Sequence, residues 1–261
     1  MSRIRMIVQY DGTAYVGWQT QPNGLSIQER IEAELQKVTG EQVRLHASGR
    51  TDSGVHARAQ AAHFDTDSRV PPDKFAYALN AGLPPDIRVA YSGPAPADFH
   101  ARFDVVRKHY RYAVWHAPHG SPFLRNTALH VHHPLDFAAM EEAAALVAGE
   151  HDFSAFKAAG IEMKSTVRTV YESKWFMAEE PGLLYYQVAG SGFLYNMVRI
   201  LVGTMLEIGG GRRCAADITR ALESGRREDA GPTAPAHGLA LWRVEYPAFD
   251  TEDYILPGMR A

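Results

Sequence analysis

The segment SGRTDSGVHA, residues 48–57, places side chains that can do chemistry on a short polar loop. Arg50 precedes Asp52 by two residues, and His56 follows four residues later. The segment also holds two glycines, which lack a Cβ and let the backbone approach a ligand closely. Taken alone, the segment fits an ordinary polar turn in which the Asp52 carboxylate accepts backbone hydrogen bonds. The neighbouring arginine and glycines favour a second interpretation, a carboxylate prepared to react.

Arg199 is a second candidate, far along the chain. It lies in the middle of an apolar helical pattern, on the face of Asn196 and Gly203 and away from the core stripe. Burying an arginine is costly unless a partner supplies charge and hydrogen bonds. Its head group therefore either extends into water or pairs with a carboxylate, for which Asp52 is the leading candidate. An arginine partner holds a carboxylate ionised, as a nucleophile or base requires.

Tyr110 is a third candidate, in the strand-like stretch RKHYRYAV. Tyr110 and Tyr112 face the same side of such a strand. Tyrosines in this setting usually belong to the core, which is our interpretation of Tyr112. Tyr110 lies beside Lys108 and close to Arg102, so it could instead stack on a nucleotide base.

Nothing in the sequence predicts a metal or cofactor site. The chain has 12 histidines, but His130 and His132 lack a third ligand at a recognisable spacing. The run GGGR at 209–212 follows a helical pattern, so it predicts a helix end and not a phosphate loop. The single cysteine, Cys214, excludes an intrachain disulfide and a thiolate metal cage.

The composition is typical of a soluble globular protein, with 46% hydrophobic and 22% charged residues among 261. We expect a cytoplasmic protein, because the sequence shows no signal-peptide pattern and no apolar run of roughly 20 residues. The net charge of −3 argues mildly against nucleic-acid binding. Basic residues nevertheless gather at 44–58, 102–111 and 199–213, where they could attract phosphates locally.

The hydrophobic periodicity predicts an α+β fold with helices on one face of a sheet. Residues 1–103 give the order βαββαβ, including a helix with Ser26 as N-cap and Gly40 as stop. Residues 104–246 give a similar order, with an alanine-rich helix over 136–153 and a strong helix over 191–211. The chain is thus expected to form two similar lobes with a cleft between them, followed by a tail over 247–261 without periodicity.

These residues resemble a known family. GRTDSGVHA is similar to the catalytic motif, usually GRTDAGVHA, of A-type tRNA pseudouridine synthases. The resemblance extends along the chain through six further segments, which are, in order, YDGTAYVGWQTQPNGLSIQ, ALNAGLPPDIRV, FHARFDVVRKHYRY, GEHDFSAFKA, GSGFLYNMVRILVGTMLEIGGG and PTAPAHGLALWRVEY. The departures are small. Ser53 replaces the usual alanine, and AGSGFLYNMVR replaces the commoner ANAFLHHMVR.

The resemblance implies isomerisation of uridine to pseudouridine in the anticodon stem-loop of tRNA, at about positions 38 to 40. It implies that Asp52 is the catalytic aspartate and Arg199 its basic partner, that Tyr110 packs on the target base, and that Arg50 helps to hold the flipped nucleotide. His56 is left with a structural role. The implied fold is two RRM-like (ferredoxin-like) lobes with antiparallel sheets around a central basic cleft. A homodimer without cofactor or metal is also implied.

The chemistry fits a single carboxylate. Breaking the N1–C1′ bond, turning the uracil and rejoining it through C5 needs one group that attacks C1′ or removes the C2′ proton, and the sequence leaves both open. A non-catalytic RNA-binding protein is the main alternative, with Tyr110 as a stacking platform. It gives no reason for the Arg50 and Asp52 loop. A glycoside or nucleoside hydrolase is disfavoured, because no second carboxylate is evident.

Overall fold

In a computed structural model, which describes residues 1–158, 160 and 164–255, the chain forms two compact units. Unit 1 comprises Met1–Lys108 together with the chain from Ala240 onward, and unit 2 comprises His109–Leu239. The sequence had suggested 104–246 as a single C-terminal lobe. The last strand is grouped with unit 1 because it pairs with a strand there, through Ala240 and His56.

Unit 1 is a sheet with two α-helices. Its strands are β1 (Ser2–Tyr10), β2 (His46–Ala47), β3 (His56–Thr66), β4 (Ile87–Pro94) and β10 (Leu239–Glu245), and its helices are α1 (Ile27–Thr39) and α2 (Phe75–Gly82). The strand order is β4-β1-β3-β10, and β2 pairs with β3. β1 is antiparallel to β3 and β4, whereas β10 joins β3 in parallel.

The core of unit 1 follows from the alternation along β1. Ile4, Met6 and Val8 are buried, as the period of two predicts, and Ile7 on the opposite face is buried as well. The predicted limits of α1 are confirmed. The Ser26 hydroxyl accepts a hydrogen bond from the Glu29 N–H at 3.1 Å, and Gly40 ends the helix in the left-handed conformation.

Unit 2 also combines a sheet with helices. Its strands are β5 (Arg107–His116), β6 (Leu129–Val131), β7 (Gly149–Asp152), β8 (Val167–Met177) and β9 (Leu183–Gly190), and its helices are α3 (Phe137–Ala145), α4 (Met197–Gly209) and α5 (Ala216–Ser224). The strand order is β5-β9-β8-β7, with β6 parallel to β5. The Trp175 indole donates to the Met205 sulfur at 3.1 Å and so ties β8 to α4.

Two predicted helices are too long. The helix expected over 136–153 ends at Ala145, because the following residues form β7 and pair with β8. The helix expected over 191–211 begins at Met197, after Asn196 with a φ of 62°. The chain is therefore a mixed α/β protein, with five α-helices in the described residues. Within those residues, no helix is long and apolar enough to span a bilayer.

Candidate active site

The loop that carries Asp52 connects β2 to β3 and is anchored where it leaves β2. The Ser48 N–H donates to the Ala61 carbonyl at 2.8 Å, and the Ser48 hydroxyl donates to the Gln60 side chain. The Gln60 amide in turn donates to the Gly49 carbonyl at 2.7 Å. Ser48 and Gln60 are fully buried. Buried polar groups that are satisfied in this way hold a loop rigidly.

The loop presents a polar surface from this rigid base. Arg50 is exposed, Asp52 is half-buried, and Thr51 between them is buried. The Val55 N–H donates to the Asp52 carbonyl at 3.1 Å, which closes a tight turn. Lys108 lies against the same loop, since a Cβ placed on Gly49 would be 3.1 Å from its ammonium nitrogen. Two cations thus accompany Asp52 within unit 1.

A second loop, over 11–18, runs directly beside the Asp52 loop. The Trp18 N–H donates to the Thr51 carbonyl at 3.1 Å, and the Gly54 N–H donates to the Tyr15 carbonyl at 3.3 Å. Gly17 has a φ of +108°, and a Cβ there would lie 2.5 Å from the Thr51 carbonyl oxygen. Only glycine satisfies both requirements. The two backbones are therefore in direct contact at Asp52.

His56 takes part in the same contact. Its Nδ1 accepts a hydrogen bond from the Gly12 N–H at 3.0 Å and lies 3.1 Å from an Asp11 carboxylate oxygen. Burial would raise the pKa of Asp11, but the hydrogen bonds that its carboxylate accepts from the Thr13 hydroxyl and N–H outweigh this effect and lower that pKa. These contacts join the end of β1 to the start of β3. His56, at the start of β3, thus adds a further contact to the loop over 11–18.

In unit 2, Tyr110 lies on β5 and is 8% exposed. The Phe193 ring meets it edge-on, with ring centroids 5.2 Å apart. Tyr112, two residues later, is fully buried, and its hydroxyl donates to the Pro235 carbonyl at 2.9 Å. Burial raises the pKa of Tyr112 above its ordinary value. Tyr112 is a core residue, as the sequence indicated.

Arg199 lies in the first turn of α4 and is half-buried. Its Nε donates to the Ala234 carbonyl at 2.7 Å, and its Nη1 donates to the Asn196 side-chain oxygen at 3.0 Å. The Ala234 N–H donates back to the Arg199 carbonyl at 3.0 Å. The guanidinium is thus oriented by hydrogen bonds within unit 2. It is not a cation extended into water, which was one of the two sequence interpretations.

The four predicted site residues divide between the units. Arg50 and Asp52 lie on one loop of unit 1, and Tyr110 and Arg199 lie in unit 2. The pairing of Arg199 with Asp52 stays a prediction. In the part of the chain that the structure describes, no group of three or more histidine, cysteine, aspartate or glutamate side chains could hold a metal ion.

Sequence reasoning missed the residues that support the loop. Tyr10 and Thr51 form a buried hydrogen bond, and Lys108 approaches Gly49. Tyr10 at the end of a strand reads as a core aromatic, and Thr51 reads as a turn residue. The only available signal was the position of Thr51 immediately before Asp52.

Comparison with known proteins identifies the family. A family model described as tRNA pseudouridine synthase matches residues 6–104 and 143–247, which is most of the chain. The chain belongs to the tRNA pseudouridine synthase family. The matched ranges include the Asp52 loop and the N-terminus of α4 with Arg199. The resemblance suggested by the sequence motifs is confirmed.

Full-length relatives from this family support the same assignment. The tRNA pseudouridine synthase A of Acetivibrio thermocellus is 45% identical over 246 residues, covering 94% of this chain and 100% of the relative. The protein of the same name from Syntrophotalea carbinolica is 47% identical over 246 residues, covering 94% of this chain and 97% of the relative. The similarity thus extends over nearly the whole length of both proteins.

Among solved structures, the archaeal box H/ACA sRNP Nop10-Cbf5 complex is similar with a TM-score of 0.36 and 11% identity. The alignment covers 87% of this chain and 60% of that chain. This likeness is too low to add to the assignment. The family match itself leaves out 105–142, which holds Tyr110, and the segment after residue 247.

Proposed function

We propose that Asp52 is the catalytic carboxylate with which this protein isomerises uridine to pseudouridine in tRNA. Family membership supports the reaction. The observation that carries the assignment to Asp52 is its loop, in which a half-buried carboxylate stands on a backbone fixed by buried hydrogen bonds from both sides. Preorganisation of this kind is what a reacting group needs.

The reaction conserves all atoms of the nucleotide. The N1–C1′ bond breaks, the uracil turns, and a C5–C1′ bond forms, while C5 loses a proton and N1 gains one. Asp52 begins this sequence either as a nucleophile at C1′ or as a base at C2′. The detached uracil must be retained, so water has to be kept from C1′ until the new bond forms.

The other site residues bind the substrate in this proposal. Arg50, exposed on the Asp52 loop, holds the flipped nucleotide by its phosphate or base. Tyr110 packs on the target base, a role supported by the Phe193 ring that fixes its plane. Arg199, oriented by Ala234 and Asn196, is the basic partner of Asp52.

The finer features of the family are part of the same proposal. The target is the anticodon stem-loop of tRNA, at about positions 38 to 40, and the protein acts in the cytoplasm as a homodimer. Each unit is an RRM-like lobe. Support for unit 1 comes from the order β1-α1-β2-β3-α2-β4 and from the strand neighbours β4-β1-β3, with β2 on β3.

The test measures tritium released from tRNA that carries 5-tritiated uridine, with wild-type protein, Asp52→Asn and Asp73→Asn. Asp52→Asn preserves the shape of the side chain, so we expect a loss of at least about 10³-fold without loss of tRNA binding. The exposed Asp73 pairs with Lys74 on the surface, and its variant should retain full activity. An active Asp52→Asn variant would refute the assignment.

The same assay separates the alternatives. A wild-type protein that binds tRNA and releases no tritium would be a non-catalytic RNA-binding protein. Free uracil among the products would identify a hydrolase. Tritium released in a fixed ratio to the tRNA, with no free uracil among the products, supports the isomerase.

A further inference from the structure

A pair of buried hydroxyl groups, from Tyr10 and Thr51, holds the backbone next to Asp52 in addition to the hydrogen bonds of Ser48 and Gln60. The Tyr10 hydroxyl and the Thr51 hydroxyl are 2.8 Å apart, across 41 residues of sequence. Tyr10 is 5% exposed and Thr51 is 7% exposed. A hydrogen bond between buried hydroxyls holds both side chains in one rotamer, because a broken bond would leave a buried polar group unsatisfied.

The position of this pair gives it a mechanical consequence. Tyr10 is the last residue of β1, and Thr51 is bonded covalently to Asp52. Tyr10 cannot shift readily, since its ring packs beside the buried Trp18 with centroids 5.8 Å apart. The rigid strand end therefore fixes the side chain of Thr51, and with it the backbone torsions that aim Asp52.

The Thr51 carbonyl is held by a different part of unit 1. It accepts the Trp18 N–H at 3.1 Å, and the Trp18 carbonyl accepts the Gln28 N–H at 2.9 Å in the first turn of α1. The side chain of Thr51 is thus tied to β1 and its carbonyl, through Trp18, to α1.

We propose that Tyr10 and Thr51 are positioning residues whose hydroxyl pair sets the orientation of the Asp52 carboxylate. The proposal rests on the assignment of Asp52 as the catalytic residue. If the pair only stabilised the fold, its loss would lower the melting temperature and leave the rate of the folded protein unchanged. A positioning pair instead governs the rate of the chemical step and leaves tRNA affinity unchanged, because both residues are buried.

The experiment compares four single variants and one double variant under single-turnover conditions, with excess protein and tRNA carrying 5-tritiated uridine. Thr51→Val removes the hydroxyl and keeps the side-chain shape, Tyr10→Phe removes only the phenol oxygen, and Thr51→Ser keeps the hydroxyl. Thr66→Val is the matched control. The Thr66 hydroxyl, at the last residue of β3, donates to a Glu41 carboxylate oxygen at 2.6 Å, and Thr66 is likewise buried in unit 1.

We expect Thr51→Val and Tyr10→Phe to slow tritium release by roughly 10- to 100-fold, as misplacement of a reacting group does. The Kd for tRNA should stay within about twofold, and Thr51→Ser should recover most of the rate. Thr66→Val should lower the melting temperature by a similar amount and leave the rate unchanged. The double variant Tyr10→Phe with Thr51→Val should lose less than the product of the single losses.

A Thr51→Val protein that is folded and reacts at the wild-type rate would overturn the proposal. So would a Thr66→Val protein that slows as much as Thr51→Val, since the effect would then follow stability. The outcome for Asp52→Asn keeps the two proposals apart. If Asp52→Asn is inactive and Thr51→Val is unaffected, only the positioning role fails; if Asp52→Asn is active, the proposed function fails.

Discussion

Arg199 shows how single residues set the direction of a charged group. Its guanidinium is oriented in part by Asn196, which has a φ of 62° and is the only described non-glycine residue with a positive φ. Asparagine tolerates the left-handed conformation better than other residues with a side chain, and its side-chain oxygen can accept a hydrogen bond. Asn196 meets both needs immediately before α4.

Two substitutions separate these needs. Asn196→Gly keeps the left-handed backbone and removes the acceptor, whereas Asn196→Ala removes the acceptor and adds roughly 1 kcal/mol of backbone strain. We expect both to slow single-turnover tritium release about tenfold, the size of one lost hydrogen bond to a charged group. Only Asn196→Ala should also lower the melting temperature. Unchanged rates in both variants would show that Asn196 does not orient Arg199 for catalysis.

At this scale the sequence located the reacting group but not its supports. Arg50, Asp52 and the two glycines form a pattern within ten residues, so their chemistry could be inferred directly. The Tyr10 and Thr51 contact could not, because its partners are 41 residues apart and each has an ordinary local explanation. Contacts between hydroxyl groups leave no periodic signal in a sequence.

At the scale of elements, local patterns gave the strands and helices but not all of their ends. The alanine-rich pattern continues past Ala145, yet Gly149 adopts a φ of +119° and starts β7. β7 is formed by its pairing with β8, where Gly149 lies opposite Val170. A four-residue strand whose partner follows some 20 residues later cannot be recognised from its own composition.

The structure shows where the segment after residue 247 packs, as far as residue 255. Without periodicity, this segment predicted no element, and the family match ends at residue 247. A 3-10 turn over Thr251–Tyr254 packs on unit 1, where Glu252 pairs with Arg58 at 3.0 Å. The Arg5 guanidinium lies 3.7 Å from the centroid of the Phe249 ring. The described part of this segment is thus an integral part of unit 1.

Thr251 is the buried centre of that contact. It is 0% exposed, and its hydroxyl accepts the Val244 N–H at 2.9 Å. Thr251→Val leaves this N–H of β10 unsatisfied, so we expect a loss of about 1 to 3 kcal/mol in unfolding free energy, measured by urea denaturation. Glu252→Gln removes only a partly exposed ion pair and should cost less than about 1 kcal/mol. A larger loss for Glu252→Gln would contradict this assignment of the stabilising contact.

For the whole molecule, counting basic residues along the chain overstates the positive field. The cluster over 199–213 includes Arg213, whose Nε lies 2.7 Å from a Glu207 carboxylate oxygen, and Arg212, which lies 3.9 Å from the same side chain. Paired charges contribute little field at a distance. The cluster over 199–213 therefore presents less positive charge to a phosphate than its number of arginines suggests.

The free energy of unfolding of the whole molecule depends on pH, and His63 makes the folded state less stable as the pH falls. The His63 ring is buried between His46 and His100, with centroid distances of 5.1 Å and 4.8 Å, and its Nδ1 accepts the Ala101 N–H at 3.1 Å. Burial, aided by the positive charges of neighbours such as Arg3, lowers the pKa of His63 from 6.5 to about 4.

An unfolded chain binds a proton at His63 near pH 6.5, whereas the folded protein does so only near pH 4. The stability that the neutral His63 contributes is therefore fully present above pH 6.5 and is lost progressively as the pH falls toward 4.

His63→Gln removes this titrating group, so we expect the slope of unfolding free energy against pH in this window to decrease by up to about 1.4 kcal/mol per pH unit. The slopes, measured by urea denaturation at pH 4.5, 5.5 and 6.5 as set points, separate this proton effect from any constant loss of packing. Parallel curves for wild type and His63→Gln would show that the buried histidine is not the group that couples folding to protons.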